Sequence, residues 1–142
     1  MRLVSVYENQ VRSARTLYVL LEERPGDGNI SHAAMPTWEE HKAFIASRPF
    51  LLWLMIEHEG EYVGAIEAND RNEFGVSILQ RYQRWGLGSA ALKLFMDTHK
   101  PLPAAPAIRN GCWLANVAPG NKPAHAFFEK HGFRLIQETL VR

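Results

Sequence analysis

The chain has little that would hold it together other than packing. Its one cysteine, Cys112, leaves no partner for an internal disulfide, which fits a reducing compartment. That thiol lies between Gly111 and Trp113 in an apolar stretch and is expected to be a buried spectator. Long hydrophobic runs are also missing. The longest, Phe50 to Ile56 (FLLWLMI), falls far short of the roughly 20 residues that cross a bilayer. The first residues carry no signal-peptide pattern, so a cytoplasmic protein without membrane association is expected. Charge of one sign is lacking too. Sixteen Lys and Arg stand against fifteen Asp and Glu, a net charge of +1 with no basic run, which disfavours a nucleic-acid partner. No internal repeat or low-complexity tract appears. What is present is ordinary: 142 residues, 46% apolar, enough for one domain over 1–142 with a core that needs no metal.

The patterning predicts β-α-α-β-β-β-α-β-α-β. Arg2 to Tyr7 reads as a strand and Val11 to Glu22 as a helix with apolar residues at 11, 14, 17, 18 and 21. Glu23 to Asn29 is a turn-forming loop. A second helix runs through PTWEEHKAFIASRP, where Thr37 and Glu40 form a capping box and Pro49 ends it. Strands at Leu51–His58, Glu61–Ala68 and Glu73–Leu79 are joined by tight turns and make an antiparallel meander. A helix from Gly86 to Thr98 leaves the third of these. Prolines 101, 103 and 106 force an irregular crossing to a strand at Cys112–Ala118. A helix capped by Asn121 and stopped by Gly132 follows, then a final strand at Phe133–Val141. The fold class is α/β in the α+β sense. It is a central mixed, mainly antiparallel sheet with helices on both faces and a parallel crossover between residues 73 and 117.

Chemistry concentrates at Gln83-Arg84-Trp85-Gly86-Leu87-Gly88-Ser89, a strand-to-helix junction. Glycines there let backbone approach a ligand closely. The first helical N–H groups and the helix dipole favour an anion. Arg81 and Arg84 add positive charge beside the turn. A P-loop requires Gly-Lys-Ser/Thr, which is absent. A dinucleotide fingerprint would accept Ala91 in third place, but it belongs in an opening βαβ unit rather than after a meander.

Gln83-x-x-Gly86-x-Gly88 resembles the acyl-CoA-binding motif of the GNAT superfamily of N-acyltransferases, and ANVAPGNKPAHAFFEKHGF (115–133) is similar to that family's second half-motif. The resemblance implies acetyl-CoA as co-substrate. Backbone amides of Arg84, Trp85, Gly86, Leu87, Gly88 and Ser89 would hold its pyrophosphate, with Gln83 at the first motif position. The fourth and fifth strands would splay, and exposed backbone at Val76, Ser77 and Ile78 would pair with pantetheine. Asn121 would cap its helix nearby. The resemblance further implies direct attack of a primary amine on the thioester in a ternary complex. Glu73 is the leading candidate base and Glu67 the second. The family's usual tyrosine acid falls at Phe128, which has no proton to give, and His125 is a candidate substitute on the same helix face as Asn121. His32, Met35, Trp38, Trp53 and the segment 29–36 are candidates for the acceptor side. The acceptor is expected to be a small-molecule or protein amine, and edge strands make a homodimer compatible with the fold. A non-catalytic acyl-CoA-binding or interaction protein with the same fold is the alternative, and a nucleotide-binding domain is the third reading.

Overall fold

In a computed structural model, which describes residues 1–24 and 34–142, five strands form one sheet in the order β1-β2-β3-β4-β5. They are β1 (Arg2–Ser5), β2 (Leu52–His58), β3 (Glu61–Ala68), β4 (Glu73–Ile78) and β5 (Leu114–Ala115). The first three pairings are antiparallel, while β4 and β5 are parallel. The helices are α1 (Gln10–Glu22), α2 (Trp38–Ala46), α3 (Leu87–Thr98) and α4 (Lys122–Lys130).

The two central strands are buried on both faces, which is why WLMI in β2 and VGAI in β3 read as almost unbroken apolar runs. One face packs Ile56, Ile66 and Phe74 against Leu87, Ala91, Leu92 and Phe95 of α3. The other packs Trp53, Met55, Tyr62 and Ala65 against Ala14 and Leu17 of α1 and Ile45 of α2. The expected two-sided sheet is thus observed. Local signals set the helix ends. Thr37 and Glu40 close a reciprocal capping box on α2, and Asn9 accepts from the Arg12 N–H at the start of α1. Gly132 takes the left-handed conformation that stops α4, at φ 85°.

Three expectations are corrected. The strand expected over 112–118 shrinks to Leu114–Ala115, because the proline-rich crossing brings the chain beside β4 for only two residues. No strand forms over Phe133–Val141. An extended chain becomes a strand only beside another edge, and among the described residues this segment has no ladder partner. Leu135, Leu140 and Val141 are largely exposed. Cys112 is exposed rather than buried, since it stands in the irregular chain ahead of β5.

The crossing itself is anchored by a residue that reads in the sequence as part of a plain turn. Asn72 is fully buried with φ 64°. Its Oδ1 accepts from the Leu102 N–H at 2.7 Å, and its Nδ2 donates to the carbonyls of Leu102 at 2.9 Å and Asn110 at 2.7 Å. Its own carbonyl accepts from the Leu114 N–H at 2.8 Å. One side chain therefore pins both ends of the crossing to the start of β4 and sets where β5 begins.

Candidate active site

The site grows out of the way β4 parts from its neighbour. Leu79 N–H donates to Val63, and the Glu73 carbonyl accepts from Asn69, so the odd-numbered residues of β4 turn their backbone toward β3. The even-numbered ones turn away. Only Glu73 and Phe74 are paired with β5. The backbone of Val76 and the N–H of Ile78 therefore face a gap between diverging parallel strands. Ser77 faces β3 instead and pairs with Ala65.

Beyond β4 the chain makes a single 3-10 turn at Gln80–Tyr82 and enters α3. Gly86 is the N-cap of α3 at φ 75°, in the left-handed region, and no side chain caps the helix. Its first amides are left for a ligand, with the positive end of the helix dipole behind them. A Cβ on Gly86 would meet nothing within 4 Å, so no neighbouring atom of the protein excludes a side chain there, and what favours glycine is its φ. At Gly88 a Cβ would stand 3.5 Å from Ile78 Cγ1 and from Phe127, an ordinary contact. Arg84 also has a positive φ of 67°, and Trp85 and Arg84 are exposed at the rim. Leu87 is buried in the core and Ser89 Oγ is tied to His131 Nε2 at 2.9 Å, so these two offer backbone only. The Gln83 side chain folds back and donates to the Ile78 carbonyl at 3.1 Å. It braces the turn rather than reaching outward.

Asn121 caps α4, accepting from Ala124 N–H at 3.2 Å. His125 follows one turn later, with Nε2 3.2 Å from the Ala118 carbonyl, so the ring nitrogen that donates is already engaged. Phe128 packs edge-on against Phe74 and Phe133 in an aromatic cluster with no hydroxyl in it. A hollow of about 450 Å³ lined by Ser89, Lys93, Met96 and His131 lies on the α3 and α4 side, away from the candidate carboxylates.

Those carboxylates lie on the opposite face. Glu67, Glu73 and Ser77 all project toward the α1 and α2 side of the sheet, by strand alternation and the β3–β4 register. Glu73 is bound into its turn, accepting from Asn69 Nδ2 at 2.8 Å, while its N–H donates to Asn69 Oδ1. Glu67 lies across Gly75 of β4. Burial pushes its carboxyl above the usual range, and the charge of Arg24 pulls the other way. The end of α1 is held to the 3-10 turn ahead of the glycines, since Glu23, its C-cap, accepts from the Gln80 N–H at 2.7 Å. Of the acceptor-side candidates, Met35 is exposed, Trp53 is a core residue, and Trp38 packs edge-on against Tyr18. His32 and residues 29–33 lie outside the described residues. Sequence reasoning missed Asn72, Gly75, Glu23 and Arg24, whose neighbours lie on other elements of the fold.

The profile of the acetyltransferase (GNAT) family matches residues 14–133. The chain belongs to that family. The GNAT match spans both half-motifs and the carboxylate face. A crystal structure of an acetyltransferase from Thermus thermophilus has a similar fold. Its TM-score is 0.65 at 20% identity, covering 96% of this chain and 88% of that one. No curated protein matches the sequence. Among the described residues no helix is long and apolar enough to cross a membrane.

Proposed function

We propose that the protein is an N-acetyltransferase that moves the acetyl group of acetyl-CoA to a primary amine by direct attack. The observation that carries this reading is the conjunction of two features at one end of β4. The strand pair opens just past Phe74, and a helix begins uncapped on a left-handed glycine at Gly86. An extended arm with a diphosphate end fits both, the arm between strands and the phosphates on the α3 amides.

Glu67 is the preferred base, ahead of Glu73. It is the less committed carboxylate, and its raised proton affinity suits it to take a proton from an ammonium group. The neutral amine then attacks the thioester carbonyl carbon. The Val76 or Ile78 N–H facing the gap supports the developing oxyanion. As the C–N bond forms and the C–S bond breaks, the thiolate leaves. An ordinary thiol pKa of about 8.5 makes it a tolerable leaving group without a phenol. Water protonates it in place of a residue at 128 and regains a proton from the nitrogen that has just been acylated, while the proton first taken by Glu67 passes to solvent. Acetyl transfer releases CoA thiol and one proton in net terms.

Release of CoA thiol across a panel of amines, with mass detection of the acetylated product, tests the proposal. Tight acetyl-CoA binding with no transfer to any acceptor would favour the binding-module reading, for which Phe128 is the supporting feature. Displacement of a bound probe by NAD or ATP but not by CoA would remove the acyl-CoA reading itself.

A further inference from the structure

β3 and β4 each carry a glycine inside the strand, and the two are there for different reasons. At Gly64 a Cβ would overlap the Ser77 carbonyl oxygen and stand 2.9 Å from Ile78 Cδ1. Backbone has come too close for any side chain, so Gly64 serves the sheet. Gly75 is different. Its φ is not in the left-handed region, so the backbone does not require glycine. The missing side chain costs the strand about 0.5–1 kcal/mol. The three atoms nearest to a Cβ there all belong to Glu67: it would overlap Oε1 and stand 3.1 Å from Cδ.

We propose that Gly75 is a positioning residue for the Glu67 carboxylate: the missing side chain forms the seat in which that carboxylate lies across β4, facing the acceptor side of the cleft. The inference rests on the N-acetyltransferase reading with Glu67 as base. Gly75 and Glu67 are direct cross-strand partners, so the seat is fixed by register. Among the described residues, the charged groups that face it are Arg24, just past α1, and Glu73, two residues earlier on the same face of β4, while Glu23 is engaged by the Gln80 N–H. β2 places Trp53 opposite, and His41 of α2 is turned to the Ala14 carbonyl of α1. Because the blocking atoms belong to the end of a flexible side chain, a methyl group at 75 evicts the carboxylate and leaves the strand in place.

The test uses Gly75→Ala, Glu67→Gln, Glu67→Asp and the double variant Gly75→Ala/Glu67→Gln in the full chain. Gly75→Ala should lower kcat/KM about 10- to 100-fold, as expected for a displaced catalytic group, with acetyl-CoA affinity within about twofold of wild type. In the Glu67→Gln background the same substitution should cost nothing further, since its target has gone. Glu67→Asp withdraws the carboxylate by one methylene without touching β4 and should give a comparable loss. Carboxyl-carbon NMR of labelled glutamate should show the Glu67 titration midpoint falling toward the ordinary range in Gly75→Ala. An unchanged midpoint there removes the seat, whether or not the chain has activity. A changed midpoint with unchanged kcat/KM and pH profile removes its role in the reaction. Absence of transfer by the wild-type chain would instead count against the N-acetyltransferase reading.

Discussion

Asn72→Ala is the substitution expected to cost this fold most for its size. The side chain makes three hydrogen bonds, all to backbone of the proline-rich crossing. Removing it takes the protein partner from one N–H and two carbonyls, on half-buried Leu102 and exposed Asn110, and leaves a void where a fully buried side chain stood. At about 1 kcal/mol net for each bond, more where the orphaned group stays dry, the loss is about 3 kcal/mol. The φ of 64° adds about 1 kcal/mol for alanine, which tolerates the left-handed region less well than asparagine. The total is about 4 kcal/mol, or a drop in Tm of about 12–16 °C for a chain of this length. Asn72→Gly keeps the backbone conformation and should lose about 1 kcal/mol less. Urea and thermal unfolding measure both. Hydrogen exchange should speed up at the Leu102 amide first and then at Leu114, whose N–H bonds the Asn72 carbonyl. A loss below about 1.5 kcal/mol in Asn72→Ala, or unchanged exchange at Leu102, would refute the view that this side chain holds the crossing.

Other outcomes follow from single contacts. Gly88→Ala should bind acetyl-CoA nearly as wild type, because its Cβ meets only ordinary contacts, whereas Gly88→Val should collide with Ile78 and Phe127 and weaken binding; titration calorimetry separates them. Gly86→Val should fold with a penalty of about 1 kcal/mol for its positive φ, yet lose acetyl-CoA binding by more than about tenfold, since open space now becomes side chain where a phosphate would approach. His41 has its pKa lowered by burial, against the opposing hydrogen bond to Ala14, from an ordinary value of 6.5. The unfolded chain then takes up the proton first, so stability should fall as pH drops below 6.5, and His41→Gln should flatten that dependence in pH-resolved thermal melts. Glu67 has the opposite sign. A carboxyl raised in the folded state costs stability above its unfolded pKa, so Glu67→Gln should raise Tm at neutral pH while lowering turnover; a lowered Tm would contradict the burial argument.

Local signals were legible in advance. Thr37 with Glu40, Asn121, Gly86 and Gly132 mark helix ends through the chemistry of a few adjacent atoms, and each stands at the end expected of it. The meander was equally readable, since its turns are short. Phe133–Val141 was not, because residue types suited to a strand do not supply the edge a strand needs. β5 is shorter than its residue types suggest for the same reason. Gly75 and Glu67 are eight residues apart in sequence, and their relation exists only through the β3–β4 register. Asn72 looks like any turn asparagine until the crossing folds over it. The glycine turn was readable because it is one continuous segment; the choice between two carboxylates was not, since it depends on which one its neighbours have already engaged.

The end of α1 and the entry to α2 are each tied to another part of the fold. Glu23 holds the Gln80 N–H. The Tyr18 hydroxyl donates to the Pro36 carbonyl at 2.9 Å, and Thr37 opens a helix with its own cap. The contact from Glu23 makes the end of α1 and the entry to the glycine turn one mechanical unit, so a substitution that shifts α1 is felt at the first turn of α3 as well as in the core.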